Sequence, residues 1–187
     1  DEALEFAARL TRIGADNSDS FLLQGNAYSA AGRYEDAISS YHKALQILPE
    51  HAGALSGLAH NLKTVGRQDE AIEHYRKCIA TNPYFTEAYW SLANMKTFRF
   101  TDEELTSMEK LLEHPHIPDN AKIHLTNALG FEYENRHDFD RAFSWFEQCN
   151  TTKRQLEYYD PVETEYLHDQ IIEVFDADFV NSKAMVS

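Results

Sequence analysis

Apolar and small residues recur at helical spacing along most of the chain, and polar residues occupy the positions between them. The segments Ser20–Ala31 and Tyr34–Leu48 both show this pattern, and Gly32 and Arg33 separate them. Pro49 ends the second segment, because proline lacks an N–H and clashes with the preceding helical turn. The pattern therefore predicts two helices joined by a tight turn.

This helical pair repeats along the sequence. An interval of 34 residues separates Ala3, Ala37 and Ala71, and the same interval separates Gly32 from Gly66, Tyr41 from Tyr75, and Pro49 from Pro83. A fixed period of this length is typical of an array of helical hairpins. The predicted units are a half repeat at 1–16, repeats at 18–51 and 52–85, a distorted repeat at 86–119, a repeat at 120–156 and a capping helix or linker at 160–180.

The third unit departs from the pattern. Its first helix is expected at about Glu87–Thr97, and the segment 98–100 replaces the usual turn. Thr101 and Glu104 have the spacing of a capping box, which predicts a new helix start. Tyr75 and the matching Phe146 of the fourth unit are 71 residues apart, so the third unit carries three extra residues, expected within 114–118.

A last helix is expected after Pro161. Asp160 before it and Glu163 after it are typical of a helix start. Leu167, Ile171 and Val174 then share one face. Because a repeat array needs a terminal element over its last apolar face, this helix is predicted to be the cap.

The first full unit resembles the tetratricopeptide repeat in residue type and spacing. In the first full unit the matching positions are Gly25, Tyr28, Ala37, Tyr41, Ala44 and Pro49. The second unit matches with Leu58, Ala59, Gly66, Ala71, Tyr75 and Pro83, and with Cys78 in place of an alanine. The resemblance implies an all-α fold, a right-handed superhelix of antiparallel helical hairpins with a C-terminal capping helix. It also implies a protein–protein interaction scaffold.

A more specific resemblance covers about 84–180. The stretches 87–100, 129–143, 159–161 and 171–175 are similar to the last repeats of bacterial proteins in which tetratricopeptide repeats precede a sulfotransferase domain. The resemblance implies that such a domain, dependent on 3′-phosphoadenosine 5′-phosphosulfate, follows in the full polypeptide. None of the seven glycines here lies in a phosphate-binding loop, so this chain is expected to be no enzyme and to hold no cofactor.

Composition narrows the partners. A formal net charge of −14 disfavours nucleic acid. No apolar run approaches the roughly 20 residues that a membrane helix needs. Cys78 and Cys149 fall at packing positions and are expected to be buried thiols without a disulfide, which fits a cytoplasmic setting. His114 and His116 lack the further ligands of a metal site, so a solvated loop is expected there.

The candidate binding residues come from the first helix of each unit, which lines the concave face of such an array. Asn26, His60 and Asn94 occupy equivalent positions there, and an asparagine amide can both donate to and accept from a peptide backbone. The alternative is that they are merely solvated. Trp90 is expected either in the groove or against the 98–100 segment. Lys63 and Arg99 are the basic residues expected near the same surface.

The sequence leaves three hypotheses for the function. The first is a scaffold that binds an extended peptide or a protein partner in the groove. The second is homodimerisation, with Phe179, Val180 and the N-terminal half repeat as contacts. The third is a docking platform for the sulfotransferase domain, provided by the acidic C-terminal helix.

Overall fold

The structure is a computed structural model that describes Glu5, Arg9 and the ranges 17–95, 97–156 and 161–175, with the backbone alone for Glu163. The predicted half repeat at 1–16 lies outside these ranges except for Glu5 and Arg9, which are both helical. The chain divides into two compact units, Asp1–Thr152 and Lys153–Ser187.

The described residues form nine helices and no strand. In chain order they are α1 (Ser18–Ala30), α2 (Tyr34–Ile47), α3 (Ala52–Thr64), α4 (Gln68–Thr81), α5 (Glu87–Ala93), α6 (Asp102–Leu112), α7 (Asp119–Asn135), α8 (Phe139–Leu156) and α9 (Pro161–Val174). The second helices of the four pairs begin at Tyr34, Gln68, Asp102 and Phe139, so successive starts are 34, 34 and 37 residues apart. The longer interval follows Asp102.

Three of the four hairpins turn at one residue with left-handed backbone. Gly32 has a φ of 73° and Gly66 a φ of 87°, and His137 adopts a φ of 62° at the same point of the last hairpin. In each turn the next residue donates its N–H to a carbonyl five residues earlier, at 2.9 Å: Arg33 to Tyr28, Arg67 to Leu62 and Asp138 to Tyr133. These bonds satisfy carbonyls that the end of a helix leaves unpaired.

The open ends of the same three hairpins are joined by side chains. The Cys78 thiol donates to the Ala52 carbonyl at 3.3 Å, and the Cys149 thiol donates to the Ile123 carbonyl at 3.7 Å. In the first hairpin Ser18 Oγ donates in the opposite direction, to the Ala44 carbonyl at 3.1 Å. Both cysteines are free and buried, as predicted. Burial raises the pKa of the Cys78 thiol to about 12, so it remains protonated at neutral pH.

Large aromatic side chains of the second helices fill the core between neighbouring first helices. Tyr41 and Tyr75 are almost fully buried. Phe146 takes the same place in the fourth unit, where its ring would lie within 2.6 Å of a Cβ added at Gly130. Glycine at that position therefore allows the close approach of ring and helix.

The third unit has no such turn, and the predicted helix Glu87–Thr97 was wrong at its end. α5 ends at Ala93, and the chain leads into a connector, residues 98–100, in which Phe98 and Phe100 are buried. The two rings meet edge to face with centroids 4.8 Å apart, and Phe100 stacks on Tyr89 at 6.5 Å. Burying two phenylalanines favours the early end of the helix, because apolar burial outweighs a lost helical turn.

Polar groups from α7 support this connector. Glu132 is only 3% exposed, and its carboxylate accepts from the Phe100 N–H at 3.0 Å and from Arg136 Nε at 2.8 Å. Arg136 Nη2 donates to the Phe100 carbonyl at 2.8 Å, and its Nη1 contacts Asp102. Side chains of α7 therefore satisfy the backbone hydrogen bonds of the connector, whereas a regular turn satisfies them within its own hairpin.

The helix after the connector begins as predicted. Thr101 Oγ1 accepts from the Glu104 N–H at 3.2 Å, and the Glu104 carboxylate accepts from the Thr101 N–H at 2.8 Å, which completes the capping box. Arg76 of α4 pairs with Glu104 at 3.1 Å and lies over the Phe98 ring at 5.0 Å. The third unit is thus tied to both of its neighbours.

α9 forms where a C-terminal helix was predicted, although Asp160 lies outside the described residues. Leu167, Ile171, Val174 and Phe175 are about half exposed. Its role as a cap stays a prediction. None of the described helices combines the length and the apolar character that crossing a membrane requires.

Candidate functional site

The structure brings two of the six predicted binding residues together. Asn26 of α1 and His60 of α3 line one cavity of about 370 Å³, which also contains Ser56, Asn61 and Glu87. Lys63, Trp90, Asn94 and Arg99 are not among the residues that line this cavity. We call it the α1–α3 pocket.

Tyr41 forms the floor of the α1–α3 pocket. A Cβ at Gly25 of α1 would lie 2.6 Å from its ring, and a Cβ at Gly57 of α3 would lie 2.7 Å from it. Glycine at both positions therefore lets the ring from α2 enter between the two first helices. Its hydroxyl donates to Asn26 Oδ1 at 2.9 Å. Burial raises the pKa of Tyr41 to about 12, so this hydroxyl is a donor at neutral pH.

Asn26 and Asn94, the two asparagines predicted to contact a peptide, form hydrogen bonds through opposite ends of their amides. Asn26 accepts from Tyr41 through its oxygen, whereas Asn94 donates through Nδ2 to the carbonyl of Trp90 at 2.8 Å. Both side chains are exposed. Because a peptide backbone offers donors and acceptors in alternation, the two amides would not contact it in the same way.

Trp90 lies beside α7. Its ring centroid is 6.0 Å from that of His124, and 41% of its surface is exposed. His124 is also within 3.1 Å of Thr86 Oγ1 and lines a second cavity of about 260 Å³. Phe85 and Glu87 line both this cavity and the α1–α3 pocket. The two cavities therefore adjoin each other at Phe85 and Glu87, and we call the surface that they form the groove.

Lys63 and Arg99 line neither of the two cavities. Lys63 is half-buried in the last turn of α3, and Arg99 lies in the connector, where Nη1 donates to the Phe98 carbonyl. The described residues contain no group of three or more metal-ligating side chains, and His114 and His116 lie exposed in a loop.

Sequence reasoning missed three residues of the groove. Asn61 is 1% exposed, Glu87 begins α5, and His124 lies in the second turn of α7. Glu87 and His124 fall early in their units, where the repeat pattern predicts exposed residues. For Asn61 the sequence offered only its position next to His60, one of the three predicted groove positions. That position does not indicate that Asn61 is buried.

Another cavity lies between α4 and α6. It has a volume of about 470 Å³ and is lined by α4 and α6, with Tyr84, Leu111 and His114 at its wall. It is mostly apolar, and it adjoins the irregular third unit. None of the predicted binding residues lines it.

Comparisons with known proteins agree with this architecture. Residues 17–82 match the tetratricopeptide repeat family model. An uncharacterised protein from Aquifex aeolicus (strain VF5) is 27% identical over 165 residues, which cover 88% of this chain and 21% of that protein. The TPR repeat-containing thioredoxin TTL4 of Arabidopsis thaliana is 29% identical over 121 residues, covering 64% of this chain and 17% of that one. The chain thus spans about a fifth of the length of these relatives.

Among solved structures, MamA 41-end from Desulfovibrio magneticus RS-1 superimposes with a TM-score of 0.59 at 21% identity, covering 83% of this chain and 88% of that one. The names of these relatives include no sulfotransferase, so that resemblance stays a prediction. The chain contains tetratricopeptide repeats over residues 17–82 and has the all-α fold of antiparallel helical hairpins that characterises tetratricopeptide arrays.

Proposed function

We propose that this chain is an interaction scaffold that binds an extended segment of a partner protein along the groove of its first helices. The observation that carries the proposal is that two cavities of about 370 and 260 Å³ lie side by side and share Phe85 and Glu87 as lining residues. Exposed His60 lines the first cavity, and exposed Trp90 lies against His124, which lines the second, so both rings can offer contact area at little entropic cost.

Panning a display library of random twelve-residue peptides against the chain tests the proposal. Enriched peptides are then synthesised with a fluorophore and titrated against variants by anisotropy. We expect His60→Ala to weaken binding at least fivefold and His116→Ala, in the exposed loop, to leave it unchanged. Peptides that bind both variants as tightly as the parent would contradict groove binding.

The two asparagines need a separate control, because Asn26 also bonds to Tyr41. Asn26→Ala together with Asn94→Ala is expected to weaken binding, whereas Tyr41→Phe removes the same internal hydrogen bond and keeps both amides. If Tyr41→Phe weakens binding as much as the double substitution, Asn26 acts by fixing the pocket and not by contacting the peptide.

Self-association is a second candidate, and α9 favours it. Leu167, Ile171 and Phe175 form an apolar stripe that is 55%, 47% and 58% exposed. The contacts first predicted for a dimer are Phe179, Val180 and the half repeat, and all of them except Glu5 and Arg9 lie outside the described residues. Light scattering distinguishes a 21.5 kDa monomer from a dimer. Under this candidate, Leu167→Glu with Ile171→Glu makes the dimer dissociate, whereas Glu165→Lys on another face has no effect.

A neighbouring sulfotransferase domain would give the scaffold its context. The proposal there is that the repeats recruit a protein close to a catalytic domain in the same polypeptide, and that the acidic α9 helps to dock that domain. Its support is the resemblance over about 84–180. Translating the coding sequence beyond Ser187 tests it, because a phosphate-binding loop after a strand must appear there.

A further inference from the structure

We propose that the α1–α3 pocket receives an arginine side chain of the bound peptide. This inference rests on the proposed function and adds to it the chemistry of the residue that is recognised. It begins from a buried acceptor, Asn61 Oδ1, which has no hydrogen-bond partner.

The orientation of the Asn61 amide is fixed by its neighbour. Nδ2 donates to the Gly57 carbonyl at 2.8 Å, and a carbonyl only accepts, so the other end of the amide is the oxygen. Asn61 is 1% exposed and lines the α1–α3 pocket. A buried acceptor without a donor is costly, because nothing replaces the hydrogen bonds that it would make to water. A ligand that brings an N–H to this oxygen therefore gains more than the same group would gain at an exposed site.

The charge of the pocket selects a cationic donor. Glu87 is the only carboxylate among the described residues that line the pocket, and no lysine or arginine accompanies it. The Glu87 side chain is exposed at the first turn of α5. A cation that enters the pocket thus meets one negative charge and no positive one, in a chain whose net charge is −14.

The walls suit the stem of a long side chain. Leu22 and Phe85 line the pocket together with the ring of Tyr41. These surfaces can pack against the methylene groups of lysine or arginine while the charged head reaches polar partners. Arginine fits better, because its planar fork carries five donors and can address Asn61 Oδ1 and the Glu87 carboxylate together. Lysine presents a single charged nitrogen.

An NMR titration of the ¹⁵N-labelled chain tests the inference. The probes are blocked pentapeptides of alanine whose central residue is arginine, lysine, norleucine or glutamate. We expect the arginine peptide to shift the Gly57 amide and the Asn61 side-chain signals. It should bind at least fivefold more tightly than the norleucine peptide, and the glutamate peptide should not bind.

Two variants and a matched control complete the experiment. Glu87→Gln, at an exposed position, should bring the arginine peptide to the affinity of the norleucine peptide without disturbing the fold. Asn61→Leu should also weaken arginine binding, whereas Asn127→Leu should not. Asn127 of α7 has a buried Oδ1 without a partner too, but it does not line this pocket.

The outcomes separate this inference from the proposed function. If arginine and norleucine peptides bind alike, or if the shifts avoid Gly57 and Asn61, the arginine inference is overturned. Groove binding itself then still stands or falls on the response of the display-selected peptides to His60→Ala. If the arginine preference persists in Glu87→Gln and Asn61→Leu, the preference arises outside this pocket and the inference is again wrong.

Discussion

The second and third units begin their second helices in the same register, but they join their two helices by different means. Gln68 and Asp102 begin the second helices in equivalent register, 34 residues apart. The second unit turns at Gly66, with a left-handed backbone and bonds inside its own hairpin. The third unit replaces this turn with the buried connector 98–100, whose backbone bonds to Glu132 and Arg136 of the next unit.

This difference shows where the geometry of a repeat depends on residues that are distant in sequence. A regular hairpin closes on itself, so its geometry is set by residues close in sequence. The connector depends on residues more than thirty positions later, because Phe100 meets Glu132 and Arg136 only once α7 is in place. The third unit is therefore expected to be the part whose stability depends most on its neighbour.

The largest expected effect comes from removing the carboxylate that supports the connector. Glu132→Leu leaves the buried Phe100 N–H without its acceptor and Arg136 without its buried partner. Because losing one partner of a buried pair is strongly destabilising, and Arg136 is partly exposed, we expect a loss of roughly 3 kcal/mol. Urea unfolding followed by circular dichroism measures it.

The second unit offers the matched control for that experiment. Glu70 pairs with Arg67 at 2.6 Å on the exposed side of its hairpin. Glu70→Leu should leave the urea midpoint nearly unchanged, because an exposed ion pair contributes little. Equal losses in Glu132→Leu and Glu70→Leu would mean that the connector does not rely on its buried carboxylate.

A smaller loss is expected when the regular turn is disturbed. Gly66→Ala places a Cβ at a φ of 87°, which is strained for any L residue, and should destabilise the chain by about 1–2 kcal/mol. Gly53→Ala is the control, because Gly53 lies inside α3 and its new Cβ would meet the His51 ring at an ordinary 3.4 Å. A Gly66→Ala variant as stable as Gly53→Ala would show that the turn tolerates a side chain.

The regular hairpins could be predicted from sequence because their determinants are local. The helical spacing, Gly32 and Pro49 located α1 and α2 within about two residues, and Thr101 with Glu104 located the start of α6. The end of α5 could not be located from sequence, because the segment 94–100 contains no glycine or proline that would end a helix. The burial of Phe98 and Phe100 depends on contacts with other units, which the spacing of residues does not reveal.

The candidate site was predictable only in part, for a similar reason. Register alone placed Asn26 and His60 on one face, and both line the α1–α3 pocket. Asn61 and Glu132 are polar residues that a helical pattern assigns to solvent. Their burial follows from Tyr41 of the preceding unit and from the connector, so no local pattern indicated it.

A test at high pH compares the cores of the two units. Burial raises the pKa of Tyr75 and of Tyr89 from 10.0 to about 12, so the folded state keeps both hydroxyls protonated. Each protonated hydroxyl therefore contributes to the free energy of unfolding. This contribution is complete below pH 10 and is lost as the pH rises towards 12. The parent should lose free energy of unfolding between pH 8 and pH 11. We expect this loss to be about 1 kcal/mol smaller in Tyr75→Phe.

Tyr89→Phe should behave in the same way, and exposed Tyr84→Phe should follow the parent. Thermal unfolding at pH 8 and pH 11 provides the comparison. If neither buried substitution reduces the alkaline loss, ionisation of these two tyrosines does not drive it, and the two cores differ from the burial that the structure shows.

The smallest effect is expected at the third regular turn, which a histidine occupies. His137 has a φ of 62° where the other two turns use glycine, so His137→Gly should relieve local strain. The gain is reduced by the flexibility that glycine adds to the unfolded chain and by the loss of the ring contact with Phe139 at 5.9 Å. A net gain of about 0.5 kcal/mol remains. Differential scanning calorimetry should show a small rise in Tm, and a fall would mean that the imidazole contributes more than the backbone strain removes.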